Sequence, residues 1–70
     1  MKKLIKIDGM MCAHCQTRVY DALFGLLGGT VTVDLQNNTA LVENDSAVSE
    51  DKIKDEIEAI GFDVISVTDL

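Results

Sequence analysis

Apolar positions along the chain switch between two periods, and the switches mark six elements. From Lys3 to Asp8 the residues alternate, with Ile5 and Ile7 on one side and Leu4, Lys6 and Asp8 on the other. That is the pattern of a short strand with one buried face. From His14 to Leu27 the period lengthens. Cys15, Val19, Leu23 and Leu26 fall at i, i+4, i+8 and i+11, with Ala22 and Leu27 beside them, which predicts one apolar stripe on a helix. Gly28-Gly29 stops it, since glycine enters the left-handed conformation that closes helices. Alternation returns over Thr30–Leu35, with Val31, Val33 and Leu35 facing one way. Gln36-Asn37-Asn38-Thr39 is turn chemistry, and Ala40–Glu43 predicts the return strand of a hairpin, broken by Asn44-Asp45-Ser46. Ser49 is placed as an N-cap, with Glu50 and Asp51 complementing the helix dipole behind it. Ile53, Ile57 and Ile60 then form a second helical stripe, Gly61 ends it, and Val64–Val67 reads as a last strand.

The order is β-α-β-β-α-β. Each helix is apolar on one side only and each strand has one buried face. The predicted fold class is therefore α+β: a ferredoxin-like sandwich, with two helices on one face of a four-stranded antiparallel sheet. Its expected core is Ile5, Ile7, Val19, Leu23, Leu26, Val31, Val33, Val42, Ile53, Ile57 and Ile60. The chain is 70 residues long, enough for one domain over 1–70 and one modest core. Apolar residues make up 47% of it but only three are aromatic, Tyr20, Phe24 and Phe62, so that core must be aliphatic. Tyr20 and Phe24 are read as packing residues on the flanks of the first helix.

A formal net charge of −6 argues against a nucleic-acid partner, which needs a basic face against phosphate. It fits either a solvated acidic surface or a partner with a basic face. No stretch approaches the length of a membrane span, so no membrane insertion is expected. The basic start Met1-Lys2-Lys3 is interrupted by Lys6 and Asp8, and no small-residue cleavage site follows. The expected compartment is cytoplasmic, where a structural disulfide is disfavoured.

Chemistry concentrates at the first switch of period, in Met10-Met11-Cys12-Ala13-His14-Cys15. Cys12 and Cys15 are the only cysteines. Two are too few for the four-coordinate site of structural zinc, which leaves an open two-thiolate metal site or a redox pair. Cys15 falls in the helix's first turn and Cys12 in the loop before it. Free N–H groups and the positive dipole end there favour thiolate, and two thiolates on opposite sides of an ion suit Cu(I). Met10 is expected to pack beneath the loop, and Met11 to point to solvent as an apolar spot on a docking surface. His14 should point outward, tuning charge or partner contact. It becomes a candidate ligand if two molecules share one metal. Phe62 should return to the same end of the domain, either shielding the thiolates from water or simply packing in the core.

The segment Gly9-Met10-Met11-Cys12-Ala13-His14-Cys15, with Thr32-Val33-Asp34-Leu35, Ala40-Leu41-Val42 and Ile60-Gly61-Phe62, resembles the heavy-metal-associated domain. Within that family it is most similar to the small bacterial copper chaperones and the N-terminal modules of copper-transporting P-type ATPases, and the likeness runs through the whole chain. The resemblance implies Cys12 and Cys15 as Cu(I) ligands, Met10 as the buried loop anchor and Phe62 as a neighbour from the opposite loop. Phe62 stands where the bacterial chaperones commonly have tyrosine and eukaryotic ones lysine; phenylalanine there is more typical of some ATPase modules. Met11 replaces a Thr or Ser, and no acidic residue of the zinc- and cadmium-handling relatives stands near it, which favours copper. The Gly28-Gly29-Thr30 step is one residue shorter than usual.

The resemblance further implies a non-enzymatic carrier that binds about one Cu(I) per monomer. It would pass the ion by ligand exchange to a copper-transporting ATPase or a copper-responsive protein. It is expected to be monomeric without metal, with a copper-bridged dimer as a further state. A start at Met1 and an end at Leu70 without a membrane segment favour a free chaperone over an ATPase module, and the lack of a signal peptide disfavours a periplasmic mercury-binding relative. Two rivals are weighed beside it. Thiol–disulfide oxidoreductases also place a Cys-x-x-Cys pair at a helix N-terminus, but their fold uses a cis-proline and usually a tryptophan, and this chain has neither. A zinc-bridged assembly, four cysteines from two chains around one Zn(II) or other soft ion, would bind half a metal per chain.

Overall fold

The computed structural model describes residues 2–44 and 48–70. The elements are β1 (Lys2–Asp8), α1 (Ala13–Leu27), β2 (Thr30–Asp34), β3 (Thr39–Glu43), α2 (Glu50–Ala59) and β4 (Asp63–Asp69). All strand pairs are antiparallel in the order β2-β3-β1-β4, which is the ferredoxin-like arrangement the alternating periods predict. The break expected at Asn44-Asp45-Ser46 lies, beyond Asn44, outside the described residues. No helix among the described residues is long and apolar enough to cross a membrane.

The core is a single cluster of Ile5, Ile7, Met10, Val19, Leu23, Leu27, Val31, Ala40, Val42, Ile53, Ile57 and Phe62, with Leu26, Val33 and Ile60 half-buried against it. Leu27 rather than Leu26 completes the α1 stripe. The buried residues Val19, Leu23 and Leu27 follow strict i+4 steps, which holds the stripe on the i±4 ridge of the helix. In β4 the register shifts opposite Lys6 and Ile7: Val67 faces Ile5 and Val64 faces Ile7. The bulge puts both valines on the core side three residues apart, so simple alternation misreads this strand's faces and its length.

Lys3 follows Ile5 and Ile7 on the core side of β1 and is buried. Its ammonium escapes isolation by pairing with Asp69 directly across the strand pair and by approaching Glu50, in the first turn of α2, at 3.9 Å. Ser49 caps α2 as expected, its hydroxyl accepting from the Lys52 N–H at 3.3 Å. The β2–β3 turn is built by Asp34, whose carboxylate accepts from the backbone N–H groups of Gln36 and Asn37 and from the Asn37 amide. These bonds, the Asn37 side chain first, hold the Asp34 carboxyl below the ordinary carboxylate range.

The end of α1 packs closely against the end of β3. Gly28 donates its N–H to the Phe24 carbonyl at 2.8 Å, and the Asn44 amide donates to the Leu27 carbonyl at 2.9 Å. Gly29, at φ +69°, lies so close to the Glu43 carbonyl that a side chain there would collide with backbone, whereas a Cβ on Gly28 would meet open space. Gly29 is thus required by close approach as well as by torsion. Gly29→Ala is expected to cost about 2 kcal/mol or more, and Gly28→Ala about 1 kcal/mol from torsional strain alone. Urea unfolding with an unchanged m-value measures both.

Candidate metal centre

β1 ends at Asp8, and the chain must then turn from the sheet surface to the start of α1. Gly9 makes that turn at φ +102°, and a Cβ on it would press against the Phe62 ring, 3.2 Å from Cδ1. The backbone therefore passes close to one edge of the aromatic ring. Met10 follows with its side chain inside the core, only 5% exposed. Asn38, in the left-handed conformation at φ +55°, supports this loop from the hairpin side. Its carbonyl accepts from Ile7 N–H at 2.8 Å. With its amide nitrogen toward the loop, the orientation that matches donor to acceptor, its side chain donates to the Met10 and Leu35 carbonyls at 3.2 Å each.

On this floor the rim of the loop stands in water. Met11 is 89% exposed. Cys12 is the N-cap of α1, in extended conformation with no side-chain capping bond, and Cys15 lies in the first turn. Both are free thiols, Cys12 exposed and Cys15 partly so, and their sulfurs are 3.4 Å apart. With metal–sulfur bonds of about 2.3 Å, a tetrahedral edge needs about 3.8 Å and a linear pair about 4.6 Å between sulfurs. The pair sits closer than either and must open to take an ion, and the exposed Cys12 is free to swing outward. Two thiolates so placed can bracket one soft cation from one side of the domain and leave the other side open.

The Cys15 thiol is held below its ordinary range, chiefly by hydrogen bonding from the Met11 backbone N–H and by the Cys12 thiol, then by the Cys12 N–H and the charge of Arg18; partial desolvation opposes these. This is the usual effect of a helix N-terminus on a cysteine. His14 is exposed in the same turn. Among the described residues no group of three or more His, Cys, Asp or Glu side chains comes together to hold an ion.

Phe62 is buried to 8% exposure and belongs to the core cluster, as the packing expectation has it, and one edge of its ring lies against Gly9 at the base of the loop. The pattern of residue types gave no hint of the part played by Arg18. Its guanidinium lies over the Phe62 ring, 5.9 Å from the centroid, which holds a cation over the ring that meets Gly9. The available signal was its place three residues after Cys15, on the same side of the helix.

The family model of the heavy-metal-associated domain matches residues 4–63. The chain belongs to the heavy-metal-associated domain family. It is 43% identical over 65 residues to a copper chaperone CopZ of Staphylococcus epidermidis, covering 90% of this chain and 96% of that protein. Among solved structures it is similar to a CopZ metallochaperone, with a TM-score of 0.80 at 34% identity over 93% of this chain and all of the other. It also matches a copper binding domain from HMA7, a P-type ATPase, with a TM-score of 0.78 at 35% identity over 96% of this chain and 97% of the other. Membership of this family places the chain among metal-binding carriers rather than enzymes.

The lowered Cys15 pKa has a direct readout. Mass-resolved alkylation across pH should show Cys15 reacting at a lower pH than an ordinary thiol. Cys12→Ala removes the second-largest of the lowering contacts and should move that profile upward; an unchanged profile would contradict the assigned cause.

Proposed function

We propose that this domain, spanning 1–70, is a Cu(I) chaperone that holds one ion between Cys12 and Cys15 and surrenders it by ligand exchange. The observation that carries the reading is the exposed sulfur pair, 3.4 Å apart at a helix N-terminus, with no third His, Cys, Asp or Glu side chain gathered around it among the described residues. Soft thiolates select a soft ion, and two of them leave it under-coordinated. A thiolate from a partner can then enter the open side to give a three-coordinate bridge. One original Cu–S bond breaks, and repetition of that step moves the ion without its ever being free in water.

Met10 and Phe62 hold the floor of this site and Met11 offers an apolar contact at its rim. His14 stays outside the first coordination sphere unless two molecules share a metal. The partner that fits is a protein with its own exposed thiolate pair and a basic patch to meet the acidic surface, such as a copper-transporting ATPase or a copper-responsive protein, met on the cytoplasmic side. Likeness to the copper binding domain of a P-type ATPase favours one second reading, in which the same site works as the metal-binding module of such a pump.

Cys12→Ser and Cys15→Ser should each abolish tight Cu(I) binding, by about a thousandfold or more, while the far-ultraviolet circular dichroism stays unchanged. Native mass spectrometry of the wild type should show one Cu(I) per monomer at low protein concentration. Tight binding by both single variants would sink the two-thiolate site, and half a zinc per chain in a dimer would establish the assembly reading instead.

A further inference from the structure

The charge of a two-thiolate site depends on the ion it holds. With a monovalent ion the complex keeps one net negative charge, and with a divalent ion it is neutral. A fixed cation nearby therefore stabilises the first complex and not the second. Because the same two thiols lose their protons in either case, proton release cancels from the comparison.

Arg18 is placed to act as that cation. It lies one turn beyond Cys15 on α1, and neighbours at this spacing share one side of a helix. Its guanidinium is not left to wander: it rests over the Phe62 ring, 5.9 Å from the centroid, a cation–π contact that restricts an otherwise flexible side chain. Phe62 is itself locked, buried in the core and pressed against Gly9. The ring thus ties the position of a positive charge to the loop that carries the sulfurs. Arginine stays charged at any working pH, and the same charge already acts on the Cys15 thiol. In a chain with net charge −6 this is a local reversal of the overall field.

We infer that Arg18, held over Phe62, is a specificity-determining residue that biases the thiolate pair toward a monovalent soft ion, Cu(I), over a divalent one such as Zn(II). The inference rests on the two-thiolate reading above and adds to it the residue that sets the choice of charge state. For one exposed pair of unit charges in a medium between bulk water and a protein surface, the bias is roughly three- to tenfold in relative affinity. It also falls with ionic strength, since the pair is exposed and the screening length shrinks to about 3 Å at 1 M salt.

The test measures Cu(I) and Zn(II) affinities of the full chain by competition with chromophoric chelators, anaerobically, in low and in 1 M sodium perchlorate. The proteins are the wild type, Arg18→Gln, Arg18→Lys and Cys12→Ser. Arg18→Gln should lower the Cu(I)-to-Zn(II) affinity ratio three- to tenfold at low salt and much less at high salt. Arg18→Lys, which keeps the charge without the planar stack, should restore most of the ratio. Equal weakening of both metals by Arg18→Gln, or a ratio that does not move, would overturn the inference while leaving the two-thiolate site standing. Wild-type affinity for Cu(I) in Cys12→Ser would overturn both. Circular dichroism of the variants checks that the exposed substitution leaves the fold alone.

Discussion

Everything at the metal loop depends on the contact between Gly9-Met10 and Phe62. Two thiols can be displayed at a solvent-facing rim only if the chain beneath them is anchored by something other than themselves. Met10 supplies one anchor by entering the aliphatic core and Phe62 the other by setting one edge of its ring against Gly9. The glycine is needed for both reasons glycine is ever needed, a positive φ and no room for a Cβ. The loop can then be rigid at its base and exposed at its rim, the combination that exchange of a ligand across a surface demands.

α2 carries that arrangement from one end of the sheet to the other. Its first turn meets Lys3, paired with Asp69 near the start of β1 and the end of β4. Its last turn hands the chain to Phe62 below the cysteine loop. Between them Ile53 and Ile57 are wholly buried. The ion pairs at the far end involve exposed carboxylates and add little stability by themselves, yet they spare the fold a buried, unpaired ammonium, which would cost far more. The anchoring of the loop is thus a property of the whole sandwich and not of a local turn.

Much of this was legible in the chain. Period changes place every element to within about two residues, because one-sided burial leaves a period of two in strands and 3.6 in helices. The Cys12–Cys15 spacing and the return of Phe62 mark the loop. What escaped were features that depend on a neighbour distant in sequence. The alternation does not say what Lys3 meets until Asp69 lies across from it. Gly29 reads as a helix stop until Glu43 lies against it. Asn38 reads as turn chemistry until its amide meets the Met10 carbonyl, and Arg18 as solvated surface until the Phe62 ring lies beneath it. The bulge in β4 defeats alternation because one extra residue reverses the faces beyond it.

The distance between the sulfurs bears on why so few ligands suffice. A site preformed for tetrahedral zinc would hold its donors near their final separation, so that binding strained nothing and release cost the full coordination energy. Here the pair rests closer together than any bound geometry requires, and one of its members is an uncapped N-cap residue exposed to solvent. Opening the pair draws on the side chain of Cys12, whereas the floor under Met10 and Phe62 stays in place. A carrier is served by that division. The part of the molecule that must move is small and wet, and the part that supports the loop is fixed by the core.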